Sequence, residues 1–240
     1  MIKNLTVLAG IATLLSIVAS PAQAALIGVS AGGEIISPPD RALNSTIFDN
    51  ELMLGFDEQQ NVILSRDIEI DNPDNGPDNW IYDSLWSDII PEGKQVDSHM
   101  ILVNKENGQP GRINLDNVDW QFSGRILGVM SDRHGVREAM TTDLLGSTTT
   151  LYPTTGRGSA LGGTDSDFAG FRRRGMERHA DGIDFYEVLT SNTLRVDMRA
   201  TQPGDWIRVV TMDVPEPGSG LVLLTLGALG AAGVLKRKHQ

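Results

Sequence analysis

The sequence predicts a mainly β protein: an antiparallel β-sandwich, jelly-roll-like, over residues 25–213, flanked by an N-terminal signal peptide and a C-terminal transmembrane helix. Three observations predict it. Short runs in which apolar and polar residues alternate are separated by Gly, Asn, Asp and Pro, which is the pattern of half-buried strands between turns. Helix-like content is confined to 136–145 and, more weakly, 84–90. The long uncharged runs lie near the two ends rather than inside. A chain of 240 residues with 40 % hydrophobic residues can bury a core and is not of disordered composition. No repeat of 20 to 50 residues is visible, which argues against a solenoid or propeller.

The first element is the leader. Lys3 supplies a positive start, 5–18 is apolar, and Pro21-Ala22-Gln23-Ala24 ends in the small-x-small pattern that signal peptidase accepts. The cut is expected after Ala24, leaving residues 1–24 as the signal peptide. An uncleaved anchor fits less well, because the apolar run falls short of the ~20 residues of a spanning helix.

The strands follow in order. Residues 61–70 end in alternation, and 96–103 is an apolar run with Asp97 and His99 interleaved. Residues 118–122 alternate and precede the apolar 125–130. Residues 183–189 and 193–198 flank Ser191-Asn192 as a hairpin, and 205–211 forms the closing strand. Two long breaks interrupt this pattern, the Asx-rich 71–79 and the Gly-rich 146–170. Loops of that length in a compact domain serve a function or move.

Catalytic signals are weak, so an enzyme is the less favoured reading. Gly28-Val29-Ser30-Ala31-Gly32 has the spelling of a nucleophile elbow. That motif needs a buried strand before it, a helix after it and an oxyanion loop from earlier in the chain, and only three residues would precede it after processing. Ser30 is therefore read as part of a strand-leading N-terminus. His99, His134 and His179 have no spacing that puts two ligands on one helix face, and they are read as structural. The many carboxylates keep paired-acid glycosidase chemistry open without singling out a pair, since the required separation is set by the fold.

No resident cofactor is predicted; calcium is the one candidate ion, because the available donors are hard oxygens. Its candidate ligands are Asp71, Asp74 and Asp78 in the first long loop, and Asp165 and Asp167 in the second. Pro73 and Tyr82 depart from an EF-hand started at Asp71, and the second loop has no repeat of its Gly-Gly-Thr-Asp-Ser-Asp pattern. The plainer reading is Asx-rich turns that need these residues for turn geometry.

One basic cluster stands against the acidic background: Arg172, Arg173, Arg174 and Arg178. Paired with neighbouring carboxylates it is a solvated surface. Presented outward it is a candidate site for an anionic glycan, whose carboxylates or phosphates guanidinium forks bind in pairs.

The chain carries 20 Lys and Arg against 31 Asp and Glu. Residues 25–213 hold 16 of the bases and 30 of the acids, a net of −14. Such a surface repels phosphate, so nucleic acid is excluded as the main partner. There is no cysteine, so an exported domain of this sequence is held by its core or by ions rather than by disulfides.

The C-terminal element is the most specific. Val214-Pro215-Glu216-Pro217 is followed by an uncharged run, 218–235, and then by Lys236-Arg237-Lys238-His239-Gln240. Eighteen residues at ~1.5 Å rise span about 27 Å, near the hydrocarbon thickness, and the basic end holds the cytoplasmic side. Five glycines in the run favour close approach by another membrane helix. The two prolines keep the preceding segment extended. This three-part tail, 214–240, resembles the PEP-CTERM sorting signal of Gram-negative bacteria that make extracellular polysaccharide. Segments 96–101 and 126–132 also look like ones found in the exported parts of such proteins, with no activity attached.

The resemblance implies an exosortase-like membrane protease with a cysteine nucleophile as partner, cutting near Val214, Pro215, Glu216 and Pro217. It implies a transient stay in the inner membrane, with Lys236, Arg237 and Lys238 as the stop-transfer end, followed by release or transfer to the cell surface. The resulting expectation is an exported surface or matrix protein that binds or packs within extracellular polysaccharide, as in a biofilm. The alternative is a secreted hydrolase acting on polysaccharide.

Overall fold

The computed structural model describes residues 24–42, 51–71, 87–104, 111–132, 135–152, 175–176, 184–200 and 204–213. Along them run β1 (Leu26–Val29), β2 (Gly33–Ile35), β3 (Met53–Asp57), β4 (Val62–Ile63), β5 (Ile68–Asp71), β6 (Ser87–Ile90), β7 (Gln95–Val103), β8 (Leu115–Phe122), β9 (Arg125–Met130), α1 (Val136–Leu145), β10 (Phe185–Thr190), β11 (Thr193–Met198) and β12 (Asp205–Met212). Two sheets face each other. One has the order β1-β8-β11-β10, the other β2-β3-β7-β12-β9 with β4 beside β7, and β5 pairs with β6 as a separate ribbon. All pairs are antiparallel except β2 with β3. The fold is thus mainly β in antiparallel sheets; a jelly-roll arrangement is not confirmed by this order.

The core between the sheets follows from alternation. Val118, Trp120 and Phe122 of β8 and Leu194, Val196 and Met198 of β11 meet Met53, Ile101, Val103, Ile207 and Val209 from the facing sheet. The Trp120 ring lies so close to β3 that a Cβ at Gly55 would stand 2.3 Å from Cζ3, so position 55 has no room for a side chain.

The second face of the β7–β12 sheet is covered too. Leu54, Phe56, Met100, Leu102 and Trp206 pack against Ala42, Ala139 and Tyr152, while Val96, Met130 and Val210 pack against Leu64, Ile68, Ile70, Ile90 and Leu145. Strands β7 and β12 are therefore buried along nearly their whole length. A strand covered on both sides must satisfy every polar side chain it carries. Arg208, at the middle of β12, uses all five of its N–H groups. Nε and Nη2 donate to Glu58 Oε2 and Oε1 at 2.7 and 2.9 Å, Nη1 to Glu138 O and Thr141 Oγ1 at 2.7 and 2.8 Å, and Nη2 also to Thr142 Oγ1 at 3.2 Å. Glu58 accepts two further bonds at 2.6 Å, from Ser98 Oγ and Tyr152 Oη.

Some expectations need correction. Residues 87–90 form a strand rather than helix, because Ile90 pairs with Ile68 and Asp88 with Ile70 across the ribbon. The expected strand over 61–70 is broken into β4 and β5, with Leu64 turned into the core at the break. The helix at 136–145 and the hairpin around Ser191-Asn192 form as expected. Among the described residues no helix is long and apolar enough to cross a membrane; residues 1–23 and 218–235 lie outside them.

Glu58→Ala should lower stability by about 3–5 kcal/mol, since it leaves a buried guanidinium without its counter-ion. Urea unfolding of the variant checks this, and a midpoint close to wild type would contradict it.

Candidate functional site at the joined ends of the domain

The two ends of the described domain meet. A Cβ at Gly124 would lie 2.3 Å from Ala24 Cβ and 2.6 Å from the Met212 carbonyl oxygen. The entry to β1 and the exit of β12 are thus neighbours against the β8–β9 turn. Ala24 is fully buried. Its N–H donates to Asp97 Oδ2 at 3.2 Å, the Ala25 N–H to Ser123 Oγ at 2.8 Å, and the Leu26 N–H to Asp57 Oδ1 at 2.9 Å. Ser123 returns a bond from its N–H to Ala25 O at 2.9 Å.

Carboxylates converge on this entry segment. Asp97, buried on β7, also accepts the Asn61 N–H at 2.6 Å. Asp213, just beyond β12, has its carboxyl pushed above the usual range by burial and by the Asp97 charge. Asp57, at the end of β3, lies 2.7 Å from His99 Nδ1, and His99 Nε2 lies 2.9 Å from Thr211 Oγ1. An ionised carboxylate only accepts, so Nδ1–H donates to Asp57 and the ring is fixed between β3 and β12. The spacing is that of an orienter, a base and a hydroxyl. Yet His99 and Thr211 are fully buried, and Phe122 packs on the imidazole with centroids 4.9 Å apart. A nucleophile needs a reacting atom about 3 Å away, and here that space is core. The reading of His99 as structural agrees with this geometry.

A second buried cluster surrounds Asp71. Its carboxylate is paired with Arg137 and accepts from Ser131 Oγ at 2.6 Å and Tyr186 Oη at 3.1 Å. Burial pushes its pKa up to about 6 against the pull of Arg137. One of the candidate calcium ligands is therefore already engaged by a guanidinium. Among the described residues no group of three His, Cys, Asp or Glu side chains is placed to hold a metal. Beside this cluster, Glu138 is buried and both carboxylate oxygens lack a hydrogen bond among the described residues. Burial first, then the charge of Asp132, raises its pKa well above normal.

Ser30 sits in the turn between β1 and β2 and is exposed, its Oγ accepting the Asp119 N–H at 2.8 Å. No helix follows it, so the elbow geometry is absent. Asp74, Asp78, Asp165, Asp167, Arg172, Arg173, Arg174, Arg178, His134, His179 and the tail from Val214 lie outside the described residues. Asp57, Thr211 and Asp213 were not singled out by motif. The available signal was a polar residue inside an apolar strand run, as at Asp97 and His99.

Residues 213–238 match the family model described as the PEP-CTERM protein-sorting motif. No curated protein and no solved structure matches the chain. The motif implies an exported protein that passes through the membrane and is sorted by exosortase. It starts one residue after β12 ends, at the end of the domain where β1 begins.

Two outcomes are expected. Burial raises the Glu138 carboxyl well above its ordinary pKa, so the stability tied to its protonated form is fully present below the ordinary pKa and is lost as pH rises through the raised folded value. Glu138→Gln should flatten the fall of melting temperature as pH rises above the ordinary carboxylate range; a variant with the wild-type pH profile would refute the assignment. Replacing Pro215 and Pro217 together with Ala should leave uncleaved precursor in the membrane fraction, because the residues before them are then no longer restricted away from helical geometry. Immunoblotting of fractions checks this, and normal processing would overturn it.

Proposed function

We propose that the protein is an exported surface or matrix component of a Gram-negative bacterium, which binds or packs within extracellular polysaccharide. The observation that carries the reading is the sorting motif directly after an acidic β-domain. In this reading residues 1–24 are removed by signal peptidase. The run 218–235 holds the precursor in the inner membrane, with Lys236, Arg237 and Lys238 on the cytoplasmic side. Exosortase then cuts near Val214, Pro215, Glu216 and Pro217.

The ligand side of the proposal falls on Arg172, Arg173, Arg174 and Arg178. They are the densest positive charge in a region of net −14, and guanidinium suits sugar carboxylates and phosphates. Calcium in the 71–79 loop would have to rely on Asp74 and Asp78, since Asp71 is bound to Arg137. Hydrolysis is the lesser reading, because in the Asp57–His99–Thr211 series among the described residues the imidazole and the hydroxyl are fully buried.

The test is a glycan-array measurement on the exported protein, with and without calcium. Binding to acidic glycans is expected, and Arg to Ser at all four positions should weaken it and flatten its salt dependence, since exposed charges are screened within ~8 Å at physiological ionic strength. Equal binding by the variant, or none to acidic glycans at low salt, would reject the arginine site.

A further inference from the structure

The entry segment of β1 raises a question of charge and of order. Ala24 is fully buried and its amide is one of two donors to Asp97, a carboxylate that is itself 2 % exposed. If the leader is cut after Ala24, that amide leaves with it, and Asp97 keeps only the Asn61 N–H. A buried carboxylate stripped of a donor is costly. The same cut creates a new group beside it, the α-ammonium of Ala25. Consecutive Cα atoms are 3.80 Å apart, so this cation starts about one residue from the lost donor, with Ser123 Oγ already 2.8 Å from its nitrogen.

The surroundings are short of positive charge. Asp97 meets the segment from β7 and Asp57 from β3, His99 lies behind Asp57, and Asp213, next to Met212 at the exit of β12, is near enough to Asp97 for that charge to raise its carboxyl. His99 is committed to Asp57 and Thr211. Arg125 of β9 points its Nη2 at Met212 Sδ at 3.4 Å. Among the described residues no Lys or Arg forms an ion pair with Asp97 or Asp213. The contact of Ala24 and Met212 against Gly124 brings the β1 entry to the β12 exit.

We propose that the α-ammonium freed at Ala25 is the built-in counter-ion of Asp97 and Asp213, so that removal of the leader pins the segment from which the sorting tail departs. This rests on the reading of residues 1–24 as a cleaved leader. It also sets an order: the Ala24–Ala25 bond must be cut before β1 closes onto β8, because Ala24 is inaccessible once folded. The amide-to-ammonium replacement converts a neutral contact into a charge pair at the junction of the two processed ends.

The test uses the exported protein with its own amino terminus. Amino-terminal sequencing establishes the first residue. Competitive acetylation across pH, read by mass spectrometry of the N-terminal peptide, gives the pKa of the α-amine. An amine held by two carboxylates should titrate about one unit or more above the ordinary ~7.7–8.0. Asp213→Asn and Asp97→Asn should each bring it down, the first serving even if the second fails to fold. A chain starting at Ala25 whose amine titrates normally, or is unmoved by Asp213→Asn, would overturn the proposal. A chain starting elsewhere would instead remove the leader reading on which it stands.

Discussion

Everything around the central sheet is arranged by one buried guanidinium. Arg208 lies at the middle of a strand covered on both faces, where an unpaired charge would be prohibitive. Its partners come from four different parts of the chain: Glu58 after β3, the Glu138 carbonyl and the Thr141 and Thr142 hydroxyls of α1, and through Glu58 the side chains of Ser98 and Tyr152. The helix is amphipathic only weakly in sequence, with Glu138 and Thr141 among its buried residues. It is placed on the sheet by these bonds together with Ala139 and Leu145 rather than by an apolar stripe alone. Such a network fixes a single orientation, because a slipped helix would leave donors of Arg208 unmet.

How much of this could be read from the sequence differs from element to element. The hairpin at Ser191-Asn192 and the strand at 125–130 announce themselves by local pattern, and so does the helix at 136–145. β3 went unrecognised, because Met53, Leu54, Gly55 and Phe56 are all buried and do not alternate. At 84–90 the apolar residues fit either period, and only pairing with β5 decides in favour of a strand. Arg208 within Trp206-Ile207-Arg208-Val209-Val210 gives no local sign of its partner, which stands 150 residues away in the chain. The cluster at the joined ends is equally invisible, since Asp57, Asp97 and Asp213 are brought together by strand order, not by spacing. The sorting tail is the opposite case: its recognition depends on a short linear motif, so sequence alone suffices.

The excess of acid also has a structural side. Part of it is internal: Glu58 and Asp71 are buried opposite Arg208 and Arg137, while Asp97 is held by amides and Glu138 is buried with its pKa raised. The exposed pair Arg66 with Asp143 and the half-buried pair Arg195 with Asp119 link separate elements near the surface and add little each. A cysteine-free domain thus takes its cohesion from two apolar layers and a small set of buried polar contacts that leave few alternatives for packing.

The position of the sorting motif acquires meaning from the strand it follows. β12 is not an edge strand but lies between β7, which pairs with it from Asp205 to Thr211, and β9, which pairs with it from Arg208 to Met212. Its end is therefore held through the ladders of two neighbours, where an edge strand has only one. The match to the sorting motif begins at residue 213, directly after this strand. The exit of β12 meets the entry of β1 at Gly124, where glycine leaves no side chain in the way of the Met212 carbonyl.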